Sequence, residues 1–200
     1  MPKNVLQHKL SDHHQTVSLF LKDLGNVFDT MDEEYNRISR QYGFECKGCE
    51  DNCCMTRFYH HTILEYAYLK AGFAPLTEGK KQEILKRAAE VNQACHRADA
   101  KKQALRIMCP LNTNGLCDIY DHRPMICRLH GIPNELELPN GRKTMGPGCG
   151  AFDICCRTAS YIPFDRTPFY VQISNMEQQL RTAMGFSGKI KMTVAEMLVW

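Results

Sequence analysis

The residues with the most chemical potential in this chain are its thiols. Cys46-Lys47-Gly48-Cys49-Glu50-Asp51-Asn52-Cys53-Cys54 places four of them within nine residues, and Cys109-Pro110, Cys117, Cys127, Cys149 and the Cys155-Cys156 pair follow downstream. Eleven cysteines in 200 residues leave three explanations: disulfides, metal ligation or redox chemistry. A chain of this length can bury a sufficient core without covalent staples. The segment Met1 to His8 has no apolar h-region and no small-residue cleavage site, and no apolar run approaches the roughly 18 residues of a membrane span. The expectation is therefore a cytosolic protein with reduced thiols, in which metal ligation is favoured over a disulfide framework.

Spacing narrows the chemistry. Cys46 and Cys49, two residues apart, can turn inward on one metal, with Gly48 relieving the crowding of the turn. Cys53 and Cys54 are adjacent, so their side chains diverge unless the backbone is irregular. A structural zinc and a four-iron cluster each take four protein ligands. The chain has more thiols than one such site uses, so two centres, or one centre plus structural and reactive cysteines, both stay open. His60, His61, His122, His130 and Tyr120 could complete mixed coordination, although each by itself reads first as a surface or packing residue. Arg123 and Arg128 flank Cys127 and can either offset thiolate charge from beyond the ligands or pair with Asp118 and Asp121.

The elements that must position these residues read as mainly helical. Ser11 and Asp12 are expected N-caps of a long helix to about Tyr42, with Val17, Phe20, Leu21, Leu24, Val27, Phe28, Met31, Tyr35 and Ile38 on one face and Gly43 as the stop. His13 and His14 are expected to face solvent. A second helix is predicted over 56–71, ending near Gly72. Thr77 caps a third to about Lys102, with Ile84, Ala88, Val91, Cys95 and Ala98 inward, which assigns Cys95 to the core. From Met108 to Cys156 the texture is Cys, Pro, Gly and Asn: a turn at Asn112–Gly115, a small hairpin around Pro139–Arg142, and a tight loop at Gly146–Gly150 that delivers Cys149. Pro168 opens a further helix to Gly185, and Thr193-Val194-Ala195-Glu196 has capping-box form. The predicted architecture is a single, mainly α domain over 1–200: an N-terminal helix (1–44), a cysteine-cluster core with two helices (45–157) and C-terminal helices (158–200).

The ordered blocks Cys46-x2-Cys49-x3-Cys53-Cys54, Cys109-Pro110-Leu111, Gly115-Leu116-Cys117-Asp118-Ile119-Tyr120 and Arg123-Pro124-Met125-Ile126-Cys127-Arg128 resemble the YkgJ-like cysteine-cluster family over roughly residues 45 to 130. Members of that family are described as zinc- or iron-chelating proteins, and a related cluster occurs in flagellin lysine methylases. The resemblance implies that Cys46, Cys49, Cys53, Cys54, Cys109, Cys117 and Cys127 are chelating cysteines. The family pattern is usually Cys-x2-Cys-x2-Cys-Cys; this chain carries one extra residue before Cys53, and Leu129-His130 where an aromatic is more usual.

The expected function is thus a metal-binding protein holding an iron–sulfur cluster, the preferred reading, or zinc, through Cys46, Cys49, Cys53, Cys54, Cys109, Cys117, Cys127 and Cys149. Surplus thiols, the Cys-Pro step and the arginines favour the cluster. A redox or group-transfer enzyme, related to the methylases, and a metal chaperone or sensor are the alternatives, and the roles of Cys155 and Cys156 stay open. The first cluster's order of gaps differs from the Cys-x3-Cys-x2-Cys of radical S-adenosylmethionine enzymes. A net charge of +3, without a basic helix, gives no expectation of a nucleic-acid partner, and none of a membrane; Lys80-Lys81 reads as a solvated face. A protein partner is not specified by the sequence.

Overall fold

The computed structural model describes residues 3–46 and 53–200. Among them are eight α-helices and two two-stranded antiparallel sheets, a mainly α fold with small hairpins. The chain begins with α1 (Lys3–Asp12) and α2 (His14–Gln41), separated by a single turn residue at His13. The stretch before Ser11 is therefore helical, and Ser11 and Asp12 end a helix instead of capping one. The reason lies in Leu6 and Leu10, one turn apart: Leu6 is fully buried and Leu10 packs against the core, so the segment has an apolar stripe to bury. His14 is exposed, while His13 is half-buried at the turn.

α2 is the spine of the molecule. Val17, Leu24, Val27, Phe28, Met31 and Ile38 repeat at helical spacing and are buried. They meet α3 (Ile63–Phe73), α5 (Met125–Leu129) and α7 (Thr167–Met184). Gly43 adopts φ +66° just beyond the helix, and Phe44 N–H returns to the Ser39 carbonyl at 3.0 Å, so the chain turns sharply toward Cys46.

The second helix starts later than its sequence suggests. Residues 57–62 are not helical: the Phe58 N–H turns back to the Thr56 carbonyl, His60 bridges Met192 in antiparallel fashion, Thr62 is extended, and α3 begins only at Ile63. Aromatic and β-branched residues favour extended backbone in this stretch. Thr62 is the better cap, since its hydroxyl accepts the Glu65 N–H at 3.1 Å. Two further amides of the first turn, Ile63 and Leu64, donate to the buried Glu177 carboxylate of α7 at 2.9 and 3.1 Å. Gly72 cannot carry a side chain, because a Cβ there would stand 2.4 Å from the His122 ring.

α4 (Glu78–Ala100) is capped by Thr77 as expected and buries Ile84, Ala88, Cys95 and Ala98, with Val91 half-buried. It packs on α8 (Val194–Val199), whose capping box of Thr193 and Glu196 is present. The cysteine-rich region between α4 and α7 is built from short pieces. β1 (Asn112–Thr113) pairs with β2 (Leu116–Cys117) across the Asn114-Gly115 turn; β3 (Asn134–Glu137) pairs with β4 (Lys143–Gly146). Two short helices, α5 and α6 (Gly150–Cys156), also form here, although five and seven residues are too few to show a helical period in sequence. α7 starts with Pro168 in its first turn and ends on Gly185 at φ +57°. No helix among the described residues is long and apolar enough to cross a membrane.

Replacing Glu177 with Ala is expected to destabilise the protein by about 2–3 kcal/mol in denaturant unfolding, because two buried N–H groups at the α3 N-terminus lose a charged acceptor. Gln at this position retains one acceptor oxygen and should cost less.

Candidate metal centre

Six of the eight cysteines singled out in the sequence line one cleft of about 1210 Å³: Cys46, Cys54, Cys109, Cys117, Cys127 and Cys149. They arrive from five separate segments. Cys46 follows the α2 stop, Cys54 sits in a 3-10 turn (Cys53–Met55), Cys109 precedes β1 and Cys117 lies in β2. Cys127 lies in α5, and Cys149 immediately precedes α6. Cys49 and the side chain of Cys53 lie outside the described residues. Backbone bonds join the segments: Cys109 N–H donates to the Cys54 carbonyl at 2.8 Å, and Cys149 N–H to the Gly131 carbonyl at 2.9 Å. The glycine loop before Cys149 approaches Phe152 so closely that a Cβ on Gly148 would fall 2.4 Å from its ring.

Cys54, Cys109, Cys117 and Cys127 form the tightest group, since every pair among them interacts electrostatically. Burial pushes the free Cys109 thiol up to about 12 and Cys117 to about 11; the neighbouring thiols add to both shifts. Cys127 is raised well above the ordinary value by burial, then by Cys109, Cys117 and Cys54. Opposing this, the Leu111 amide hydrogen-bonds the Cys109 sulfur and the Ile119 amide the Cys117 sulfur. Both amides lie two residues after their cysteine. Such N–H···S bonds favour the anionic sulfur, the form that binds metal. The arrangement is of neutral thiols when metal-free, with donors already in place for the thiolates that a cation would require. As they stand, no three or more Cys, His, Asp or Glu side chains among the described residues form a group arranged to hold a metal ion.

Cationic side chains surround the group. Arg123, expected to support it, lowers the pKa of both Cys117 and Cys127; its Nε donates to the Tyr120 carbonyl at 2.9 Å and its guanidinium lies 3.5 Å from the Tyr120 ring centroid. Arg128 is committed to structure. It is buried, donates to Asp32, to the Asp121 carbonyl and, at 2.9 Å, to the Arg123 carbonyl, and stacks over Phe28 at 4.4 Å. Burial pushes the Asp32 carboxyl up by more than Arg128 and Arg123 pull it down, so this pair acts chiefly as a clamp between α2 and α5.

Sequence reasoning passed over two cations on α4. Lys80 Nζ reaches Thr113 Oγ1 at 2.8 Å and Asp118 Oδ1 at 3.2 Å, and Arg87 reaches Asp118 Oδ2 at 3.3 Å while lowering the Cys109 pKa. They brace the hairpin between Cys109 and Cys117, so Lys80 is not the solvated-face residue expected. Only the i, i+7 spacing of the two could have hinted at a shared face.

The remaining candidates divide. Cys95 is buried as expected, yet it also lines the cleft. Cys155 is exposed and Cys156 buried on α6, with Cys156 Sγ 3.6 Å from the Tyr42 carbonyl; neither lines the cleft. His60, His130 and Tyr120 line it, whereas His122 stacks on Tyr68 at 4.8 Å and His61 is exposed. Comparison with family models, curated proteins and solved structures finds no match to this chain.

Arg128→Met should destabilise by about 2–3 kcal/mol in denaturant unfolding, somewhat below a fully buried pair because the Asp32 side chain keeps 32% exposure. A second outcome concerns Glu65, which also touches α5. Burial alone would raise its carboxyl, but the His60 ring, the Thr62 hydroxyl and the Met125 N–H more than offset this and hold it below the ordinary 4.5. A depressed carboxylate contributes stability above its unfolded pKa and loses it as pH falls through the lower folded value. Between pH 7 and pH 3, wild type should therefore lose more stability than Glu65→Gln, measured by urea midpoints across that range.

Proposed function

We propose that the chain is a metalloprotein that holds an iron–sulfur cluster through Cys54, Cys109, Cys117 and Cys127, at a site of the kind implied by its likeness to the YkgJ-like cysteine-cluster family. The observation that carries the reading is the meeting of these four thiols, from segments up to 73 residues apart in sequence, in one desolvated cleft with amide N–H groups on two of the sulfurs. Packing has no need of such an arrangement, and a fold without metal gains nothing from crowding four thiols whose charged forms repel.

Two features favour a cluster over a single zinc ion. A tetrahedral zinc with Zn–S bonds near 2.3 Å draws its sulfurs to about 3.8 Å from one another around one point. A cluster makes a different demand, because each thiolate binds its own iron, and thiols distributed along one cleft suit it. Arg87 and Arg123 also place positive charge beside Cys109, Cys117 and Cys127, as a multiply anionic centre requires. Cys46 and Cys149 line the same cleft and are available as alternative ligands or to a second centre.

Anaerobic purification followed by iron, zinc and acid-labile sulfide analysis tests the proposal. Iron and sulfide in comparable amounts, lost in Cys109→Ser and Cys127→Ser but kept in Cys155→Ser, are the expected result. Zinc at unit stoichiometry without iron or sulfide would overturn the cluster reading and leave a zinc protein. Metal-free protein of unchanged stability would overturn both.

A further inference from the structure

Cys155 and Cys156 stand apart from the cleft, at the last two positions of α6, and the proposed metal centre does not use them. Cys155 is exposed and follows Ile154, which is itself 85% exposed, so this thiol is open to small molecules in solution. Cys156 turns inward. It keeps 7% exposure, and its Sγ lies 3.6 Å from the Tyr42 carbonyl just beyond α2. Successive helix positions stand about 100° apart, so the edge of the buried face runs between the two sulfurs. They interact directly all the same: burial pushes the Cys156 thiol up, and a hydrogen bond with the Cys155 side chain and the Cys155 charge add to the shift.

This division suits thiol–disulfide exchange. The first step needs a thiol that a disulfide can reach from solvent, and only Cys155 is so placed. Cys156 is covered and holds its proton, so it does not begin the exchange. Once Cys155 carries a mixed disulfide, however, the adjacent sulfur attacks within the same molecule, and proximity offsets its low thiolate fraction. The location limits the backbone cost, because the last carbonyls of a helix have no intrahelical partners and its final residues can rearrange with little loss. Consecutive Cα atoms are about 3.8 Å apart, against about 4.4–6.8 Å across ordinary disulfides. A bridge closed here is therefore strained and readily reduced.

We propose that Cys155 and Cys156 form a reversible redox site for low-molecular-weight disulfides, with Cys155 as the entry thiol and Cys156 as the resolving thiol. Cys155, as thiolate, attacks one sulfur of a disulfide RSSR. The bond from Cys155 to that sulfur forms, the RS–SR bond breaks, and the leaving RS⁻ takes up the proton that Cys155 released. Cys156 then attacks the Cys155 sulfur: the Cys155–Cys156 bond forms, the mixed disulfide breaks, and the second RS⁻ leaves with the Cys156 proton. Two protein thiols are oxidised, and one RSSR is reduced to two RSH. The site does not depend on what the cleft thiols bind.

The test treats the full-length protein, as purified, with oxidised glutathione, blocks the remaining thiols by alkylation and maps the tryptic peptide of residues 144–157 by mass spectrometry. In the wild type this peptide should lose two hydrogens, with no backbone fragmentation between Cys155 and Cys156 until it is reduced. Excess reduced glutathione should restore both thiols. In Cys156→Ser the peptide should instead keep a glutathionyl group on Cys155, and in Cys155→Ser the Cys156 thiol should stay unmodified. A Cys155 that does not react in the folded protein, a wild type that stops at the glutathionylated stage, or a bridge from Cys149 to either residue would each overturn the proposal. So would a bridge that persists in excess reduced glutathione, or a Cys156 that reacts in Cys155→Ser. The wild-type peptide decides the matter even if Cys156→Ser fails to fold, and loss of the metal reading leaves it untouched.

Discussion

The cleft depends on one buried cation. The Arg128 guanidinium bridges Asp32 on α2, the Asp121 carbonyl in the turn after β2 and the Arg123 carbonyl ahead of α5, and stacks on Phe28 in the core. Two of these acceptors lie in the irregular segment between Cys117 and Cys127, where little regular structure holds the backbone. A planar group with five donors can secure several acceptors at once, and lysine could not replace it there. The cost of burying the charge is visible in Asp32, whose carboxyl is pushed up despite two arginines. The interaction is better understood as specifying where α5 lies on α2 than as adding net stability.

Desolvation raises the cleft thiols and the nearby Glu65 carboxyl alike, but the net outcomes are opposite. For the thiols it opposes ionisation, so Cys109, Cys117 and Cys127 are raised. Amide donors from Leu111 and Ile119 and the charges of Arg87 and Arg123 offset part of this, and a bound cation would supply the remainder. For Glu65, hydrogen bonds overcome burial and keep the carboxylate ionised. The difference is in the number of donors: Glu65 has three fixed ones, whereas each raised thiol has at most one amide and several like neighbours. Four of the five buried side-chain nitrogens without a hydrogen-bond partner among the described residues belong to Arg57, His60, Arg87 and Asn112, at or beside the thiol-bearing segments. Of these, Arg57 and His60 line the cleft itself.

Much of the helical frame is legible in the sequence, because an apolar repeat and a cap are local properties. Thr77, Thr193, Gly43 and Gly185 mark helix ends by their own chemistry, and the α2 and α7 stripes repeat long enough to be read. The boundary of α3 is different: Thr56 and Thr62 both offer a hydroxyl, and only the pairing of His60 with Met192, 132 residues away, and the placement of Glu177 under Ile63 and Leu64 decide for Thr62. α5 and α6 are too short for periodicity to register, and α1 shows how two leucines in a polar stretch suffice once a core is there to receive them.

The sequence by itself determined where the thiols lie and how they are spaced, because cysteine count, spacing and the adjoining Cys-Pro and arginine residues are covalent facts. It also determined the long helices, whose periodicity is a property of neighbouring residues. Only the tertiary structure decided which thiols become neighbours, which arginine faces them and which is spent on the fold. Arg123 and Arg128 look equivalent in sequence, yet only Arg123 lowers the pKa of Cys117 and Cys127, while Arg128 is buried against Asp32 and two backbone carbonyls. The same holds for Lys80, Arg87 and the His60–Glu65 pair. Their roles arise from contacts between segments distant along the chain, and burial, which sets the energy of each such contact, exists only once those segments have packed.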